Sequence, residues 1–298
     1  PLALGTDGAG SIRIPASFCG IVGLKPSFGR IPFDPPPGPA ESTAHAGPMT
    51  RTVRDAALML DVLAGPDERD RNSLPASGER YQDAVGRPIT GLRIAWSPDL
   101  GHIPVEPEIV TATAAAAQAF GELGCDLETF TGALPDPAPI LDVLYPGFQA
   151  GAHGRRPASE LAEMDPELVN IIERGKRLTV VDMGQAAVAR ARYWEAMRQV
   201  FEQYDLLVTP TLSVAPFKLG IVGPTEVGGR SVVHLGWTLA YPFNYTGQPA
   251  ITVPCGFTAD GLPIGLQLVG RRFADATVLQ AAAAFESIRP WQHITPNI

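Results

Sequence analysis

A loop of small residues that ends in a serine is the segment of the sequence best suited to chemistry. The loop spans Gly5–Gly10 and leads directly to Ser11. Its small residues allow the backbone to turn sharply and to approach a ligand closely. Successive N–H groups at the start of a helix bind anions. A serine at that point stands where a nucleophile beside an oxyanion hole would lie.

The same loop has other interpretations. A phosphate-binding loop ends in Gly-Lys-Ser or Gly-Lys-Thr, whereas this loop continues as Gly10-Ser11-Ile12. A dinucleotide-binding loop needs a third glycine at a fixed spacing, and the sequence lacks it. A tight turn without any ligand satisfies the local pattern equally well, so the residues alone leave that alternative open.

Composition and charge exclude several classes of function. The chain has 298 residues, with 23 Lys and Arg against 31 Asp and Glu, and a formal charge of −8. An acidic chain lacks the basic surface expected of a nucleic-acid binder. Its apolar stretches are broken well before the ~18 residues that a membrane helix needs. The three cysteines, Cys19, Cys125 and Cys255, predict reduced thiols in a cytoplasmic protein.

The helices and strands expected around the loop are predicted from the periodicity of apolar residues and from the Gly and Pro residues that end each segment. Residues 1–4 predict the end of a buried strand that leads into the loop, and Ser11–Phe18 predicts a short helix. Thr50 is the expected N-cap of a helix over Arg51–Ala64. Further strands are expected at Ile21–Leu24, Leu92–Trp96, Cys125–Phe130, Leu206–Val208, Ala250–Val253 and Ile264–Val269. Further helices are expected at Pro107–Leu123, within Ala138–Tyr204 and at Ala274–Ile288. Strands that alternate with helices predict an α/β fold with a mostly buried sheet.

Three stretches of the chain closely resemble the amidase signature family. The first, Gly5–Pro26, reads GTDGAGSIRIPASFCGIVGLKP; the second is Gly47–Ala57, and the third is Tyr241–Gln267. The matches are collinear and extend from residue 1 to about residue 290. The resemblance implies a single domain over residues 1–298, with a mixed, mostly buried β-sheet covered by helices on both faces. It also implies that this fold is incomplete at its N-terminus.

The resemblance also implies a mechanism. In the family, a serine attacks an amide carbonyl, and its proton passes through a second serine, held by a cis peptide, to a neutral lysine. The matching nucleophile here is Ser11, with an acyl-enzyme formed on it and without a metal or organic cofactor. The implied oxyanion donors are the backbone N–H groups of Gly8, Ala9, Gly10 and Ser11. The second serine and the lysine are expected upstream of Pro1, and Lys25 is expected to be structural.

Several other residues carry expectations. Ala9 replaces a glycine usual in the family, and its methyl group is tolerable only where φ is negative. Asp7 and Arg13 flank Ser11, and we expect them to pair or to bind the loop backbone. The candidates for substrate contact are Tyr145, Tyr241 and Asn244. A Ser-His-Asp arrangement on Ser11 remains an alternative for which the spacing selects no histidine; the histidines are His45, His102, His153, His234 and His293.

The function expected from these observations is hydrolysis of a small carboxamide to an acid and ammonia or an amine. One alternative is the glutaminase subunit of a tRNA-dependent amidotransferase, and another is a non-catalytic remnant that acts as a binding or scaffold protein. The 298 residues are expected to be the C-terminal piece of a longer enzyme and to be inactive alone. No nucleic acid or membrane is expected as a partner, and a homodimer is left open.

Overall fold

The computed structural model describes residues 2–132 and 134–295. The strands are β1 (Leu2–Asp7), β2 (Val22–Lys25), β3 (His45–Thr50), β4 (Arg93–Trp96), β5 (Asp126–Thr129), β6 (Leu206–Pro210), β7 (Glu226–Val227), β8 (Arg230–Ser231), β9 (Ala250–Phe257) and β10 (Pro263–Gly270). The helices are α1 (Arg13–Phe18), α2 (Val53–Leu63), α3 (Pro107–Glu122), α4 (Ala138–His153), α5 (Ala158–Leu161), α6 (Pro166–Gly175), α7 (Val180–Gln203), α8 (Pro242–Thr246) and α9 (Asp275–Ile288).

The central sheet has eight strands in the order β1-β3-β2-β9-β10-β6-β4-β5, and β7 and β8 form a separate two-stranded ribbon. The pairs from β1 to β6 are antiparallel, whereas β4 runs parallel to both β6 and β5. The sheet is therefore mixed, as predicted. The turn at Asp260-Gly261 joins β9 to β10 as a hairpin.

Helices cover both faces of the sheet, and alternate strand residues form two separate cores. On one face, Ile94, Leu206 and Ile251 pack with α2, α3 and α9. On the other face, Leu207 and Val269 pack with α4 and α7. Successive side chains of a strand point to opposite faces, so a sheet covered on both sides needs the continuous apolar runs that the sequence shows.

Two boundary expectations near the loop were wrong. Residues 2–4 do not form a buried strand: β1 is an edge strand, and Leu2 and Leu4 are 52% and 57% exposed. The N-cap of α2 is Thr52, whose hydroxyl accepts the Asp55 N–H at 3.1 Å. Thr50 instead ends β3, where it pairs with Leu2. It is not the cap because α2 begins only at Val53, three residues further along the chain.

Strand β3 was not predicted, because Gly47 and Pro48 in its middle are poor strand formers. Gly47 is needed there for close packing, since a Cβ at this position would lie 2.0 Å from the Leu24 carbonyl oxygen. Within residues 2–132 and 134–295, no helix combines the length and apolarity required to cross a membrane.

Candidate active site

Ser11 lies in the turn between the end of β1 and the start of α1. Strand β1 ends at Asp7, helix α1 begins at Arg13, and Ser11 is exposed between them. Within the described residues, the Ser11 hydroxyl makes no hydrogen bond. Its side chain is therefore accessible, while the residues on either side of the turn are fixed by the fold.

The carboxylate of Asp7 holds the backbone of the turn in place through hydrogen bonds. It is fully buried and accepts the Gly10 N–H at 2.6 Å and the Ile12 N–H at 3.3 Å. It also accepts Nε of Arg13 at 3.0 Å and Nη2 of Arg13 at 3.1 Å. Asp7 thus fixes the backbone on both sides of Ser11, which confirms the expectation that Asp7 and Arg13 pair.

Residues near the C-terminal end of the sequence provide the other hydrogen-bond partners of Arg13. Its guanidinium donates to the Ala240 carbonyl at 2.8 Å, to Oε1 of Gln267 at 2.8 Å and to Oδ1 of Asn244 at 2.6 Å. The amide of Asn244 donates in turn to the Asp7 carbonyl and to Oδ1 of Asp7, both at 2.8 Å. We call Asp7, Arg13, Asn244 and Gln267 the buried polar cluster.

Charge compensation within this cluster keeps Asp7 ionised. Burial alone would raise the pKa of Asp7, but the charge and hydrogen bonds of Arg13 outweigh that effect. Smaller contributions come from Lys25 and Asn244, and together they hold the pKa of Asp7 well below its usual value. A buried carboxylate that is ionised and fully hydrogen-bonded is a rigid support for backbone N–H groups.

The backbone conformation of the loop fits the residue types found at Gly10 and at Ala9. Gly10 has a φ of +116°, and a Cβ there would lie 2.9 Å from Cδ1 of Ile14 and 3.0 Å from Cβ of Ala240. Ala9 is not among the described residues with positive φ. This confirms the condition under which its methyl group is tolerated.

The four N–H groups predicted as oxyanion donors are not equivalent. The Gly10 N–H is occupied by the Asp7 carboxylate. In the part of the chain that the structure describes, the N–H groups of Gly8, Ala9 and Ser11 donate no hydrogen bond. Space beside Gly8 is open, because a Cβ there would meet no atom within 4 Å. These three N–H groups therefore have no acceptor among the described residues.

Two further titratable side chains lie buried near the cluster. Lys25 is fully buried and donates to the Gln248 carbonyl. Burial and the nearby Arg13 charge hold its pKa well below the usual value, against the opposing effect of Asp7 and Asp275. His45 contacts the Thr43 carbonyl through Nδ1 at 2.7 Å. Burial, and next the charge of Lys25, hold the pKa of His45 well below the usual value.

The three candidates for substrate contact have different surroundings. Asn244 is fully buried, and both ends of its amide are used within the protein. Tyr241 is 1% exposed and belongs to the apolar core that also contains Ala9. Tyr145 is half-buried and stacks on His234 with ring centroids 5.4 Å apart. The structure thus brings Asn244 to the loop as a support rather than as a surface group.

Other nucleophile schemes find no support in the described residues. None of the five histidines forms a hydrogen bond with Ser11 there. Cys255 is half-buried and lies against an apolar core, where burial raises the pKa of its thiol. Cys125 is buried, and burial raises the pKa of its thiol to about 11. Neither thiol has the lowered pKa of a reactive cysteine.

Gln267 is a residue of the site that the sequence did not single out. It lies in strand β10 and is completely buried. It accepts from Arg13 and donates to the Leu239 carbonyl at 3.0 Å and to the Thr209 hydroxyl at 3.1 Å. A glutamine inside an otherwise apolar strand is the signal that could have found it, because buried amides need partners.

Comparisons with known proteins agree with this geometry. The sequence model of the family described as Amidase matches residues 1–279. An acylamidase of Rhodococcus erythropolis is 42% identical over 300 residues, which cover 99% of this chain and 63% of that protein. A glutamyl-tRNA(Gln) amidotransferase subunit of Moorella thermoacetica is 35% identical, with 99% of this chain and 65% of that protein covered.

Solved structures give the same result. A bacterial aryl acylamidase of the amidase signature family matches with a TM-score of 0.87 and 34% identity, over 98% of this chain and 63% of that one. A 6-aminohexanoate cyclic dimer hydrolase matches with a TM-score of 0.88 and 29% identity, over 100% of this chain and 66% of that one. The chain spans just under two thirds of the length of these relatives. By sequence and by fold, the chain belongs to the amidase signature family.

Proposed function

We propose that this chain is part of a longer enzyme that hydrolyses small carboxamides through an acyl-enzyme on Ser11. The Ser11 Oγ attacks the carbonyl carbon, and the hydroxyl proton passes to a base. The C–N bond then breaks, the leaving nitrogen takes a proton, and ammonia or an amine departs. Water next attacks the ester on Ser11 and releases the carboxylic acid.

The observation that carries this proposal is the contrast between Ser11 and the atoms around it. Ser11 is exposed and unpaired within the described residues, while its neighbours in the loop are held by buried hydrogen bonds. The N–H groups of Gly8, Ala9 and Ser11 are the donors that we assign to the oxyanion. Preorganised donors stabilise the charge that develops in the transition state, and losing one typically lowers kcat about 10²–10³-fold.

The buried polar cluster has a positioning role in this proposal. Asp7 occupies the Gly10 N–H and so orients the adjacent peptide groups. Asn244 holds Asp7 and Arg13 together from α8. Because these groups are used within the protein, we assign them to loop geometry and not to substrate contact.

The proton acceptor is the incomplete part of the mechanism. The chain contains three lysines, and the buried Lys25 donates to backbone carbonyls of Pro26 and Gln248, not to Ser11. We propose that the relay of a cis-peptide serine and a neutral lysine lies outside the 298 residues. The chain alone then retains the nucleophile and the oxyanion loop without the proton relay, and isolated oxyanion holes with substrate binding give roughly 10³–10⁴ over water. That rate on an amide lies below ordinary detection.

The experiment compares the chain alone with a chimaera that carries the upstream segment of the Rhodococcus acylamidase. We expect release of amine from aryl and aliphatic amides by the chimaera, no release by the chain alone, and none by the chimaera with Ser11→Ala. Robust turnover by the chain alone would place a base within its own residues. Turnover by the Ser11→Ala chimaera would refute the assignment of the nucleophile.

The relatives named as amidotransferase subunits support a second candidate, a glutaminase. The Moorella protein matches almost the whole chain at 35% identity. The two candidates differ in substrate: a glutaminase releases ammonia from glutamine and depends on partner subunits, whereas an acylamidase accepts simple amides alone. A panel of glutamine, acetanilide and aliphatic amides, assayed on the same chimaera, separates them. We favour the acylamidase because that relative is 42% identical.

A further inference from the structure

A groove away from Ser11 combines two arginines with an apolar end. Its polar part, with a volume of about 280 Å³, is lined by Arg190, Arg272, Ser42 and the rings of Phe28 and Trp194. A second cavity of about 530 Å³ shares Ser42, Arg190 and Trp194 with it and continues between α4 and α7. We call the two together the arginine groove.

Both arginines of this groove lack an acidic partner. Within residues 2–132 and 134–295, neither Arg190 nor Arg272 forms an ion pair. The polar part of the groove is lined by no Asp or Glu. In a chain whose formal charge is −8, a groove that gathers two cations and no carboxylate is suited to an anion.

Arg190 is fixed in place and keeps donors for a ligand. Its Nε donates to the Tyr245 carbonyl at 2.7 Å, and its two Nη atoms donate to Oγ and to the carbonyl of Ser42, both at 2.8 Å. A guanidinium has five N–H bonds, so one N–H on each Nη stays available. Burial lowers the pKa of Arg190, which reflects partial dehydration of its charge without a carboxylate in compensation.

Arg272 is the second arginine that lines the polar part. Its guanidinium carbon lies 4.2 Å from the centroid of the Phe273 ring. Phe273 is 43% exposed and has a φ of +72°, a backbone conformation rare for a bulky residue. Its N–H donates to the Ser27 hydroxyl at 3.0 Å. The turn therefore presents the Arg272 cation to the groove.

The other end of the groove is apolar. It is lined by Leu144, Phe148, Met183, Ala187 and Ala191. A ligand with only a charged head would leave this end filled with water, whereas a ligand with only a tail would leave the arginines unused. Burial of apolar surface stabilises binding by about 25 cal/mol per Å², so both ends favour one ligand that has a head and a tail.

We propose that the arginine groove binds a small amphiphilic carboxylate, with its head between Arg190 and Arg272 and its apolar tail between α4 and α7. The proposal is independent of the hydrolytic function, since none of the groove residues belongs to the loop around Ser11. The groove adjoins the site at α8: Thr246 and Gly247 line its polar part, Tyr245 lines its apolar end, and Arg190 donates to the Tyr245 carbonyl.

The test uses decanoate, decan-1-ol and acetate as probes of head and tail, with binding to the 298-residue chain measured by calorimetry. We expect saturable binding of decanoate at one site, and binding weaker by about tenfold or more for the alcohol and for acetate. Higher salt should weaken the decanoate complex. Equal affinity for decanol, or no decanoate binding, would overturn the proposal.

Two variants locate the binding site. Arg272 is exposed, so Arg272→Gln leaves the fold intact, and we expect it to weaken decanoate binding by about tenfold. Ala187→Phe fills the apolar end and should abolish tail binding.

The matched control is Arg155→Gln, which removes the same charge from an exposed residue outside the groove. An equal loss with the control, or no loss with Arg272→Gln, would refute the site. Binding unchanged by Ser11→Ala keeps the result separate from the hydrolytic function.

Discussion

Two arginines of this protein form short contacts with carboxylates in opposite environments. Arg13 and Asp7 are paired at 3.0 Å with both side chains fully buried. Arg198 pairs with Glu195 at 2.7 Å and also with Glu202 on α7, with side chains 42%, 51% and 60% exposed. Distances alone would rank the surface pairs as the closer contacts.

The difference between the pairs is what each one holds in place. Removing one partner of a buried pair leaves an uncompensated charge, whereas water and salt take over at an exposed pair. Asp7 also fixes the Gly10 and Ile12 N–H groups on both sides of Ser11. The buried pair therefore determines the geometry of the candidate nucleophile, while the surface pairs support one helix.

The largest expected effect is that of Arg13→Met. It leaves Asp7 buried without its cation, and we expect the free energy of unfolding to fall by about 3–5 kcal/mol. Arg13→Lys is the matched variant, since it restores the charge but cannot reproduce the fork of donors. Urea unfolding followed by circular dichroism measures both. A loss below about 1 kcal/mol for Arg13→Met would show that the buried pair behaves like a surface one.

Gly10→Ala probes the backbone that the buried pair supports. Because Gly10 has a φ of +116° and close neighbours in Ile14 and Ala240, we expect a loss of about 1–3 kcal/mol. The control is Gly8→Ala, which meets no atom within 4 Å and has no positive φ. We expect thermal unfolding to separate the two variants clearly, and equal stabilities would contradict the described loop.

Buried histidines make the free energy of unfolding depend on pH. The folded pKa values of His45, His102 and His234 are lowered, mainly by burial. The unfolded chain therefore binds more protons below about pH 6.5, and stability falls as the pH decreases from 7 to 5. One histidine contributes at most about 1.4 kcal/mol per pH unit.

Replacing one of these histidines tests that sign. His45→Gln should flatten the decline in unfolding free energy between pH 7 and pH 5, because the folded state no longer contains that dehydrated imidazole. His293→Gln, which changes an exposed histidine, is the control for the loss of an imidazole. A steeper decline with His45→Gln would mean that the buried imidazole gains protons on folding.

The smallest expected effect is that of Arg198→Gln. Exposed pairs contribute about 0.2–1 kcal/mol and weaken with salt. We expect a change within this range at low ionic strength and a smaller one at 1 M salt. Guanidinium is itself a salt, so unfolding by urea is the appropriate measurement. A loss comparable with that of Arg13→Met would remove the distinction between the two regions.

Local sequence predicted one half of the buried polar cluster and not the other. Asp7 and Arg13 flank Ser11 closely, so their pairing followed from spacing alone. Asn244 and Gln267 lie 231 and 254 positions beyond Arg13, and their meeting depends on the order of β2, β9 and β10 in the sheet. No local pattern encodes that order, because it is set by packing of the whole sheet.

The same limit explains the errors at the edge of the sheet. The apolar residues Leu2 and Leu4 indicated burial, but exposure depends on what lies beside β1, not on the residues themselves. The N-cap of α2 is Thr52 and not the predicted Thr50, because β3 extends through Thr50 and α2 begins only at Val53. Ser11 was predicted to be the nucleophile. Its exposed position in the turn agrees with that role, which stays a prediction.

The most direct test of the central claim is covalent labelling of Ser11. A fluorophosphonate probe is applied to the chimaera with the upstream acylamidase segment while it hydrolyses amides, and the modified peptide is then mapped. We predict modification of Ser11 alone, with loss of amide turnover in proportion to labelling, and no labelling of the Ser11→Ala variant. Labelling of another serine, or turnover that survives complete modification of Ser11, would contradict the account.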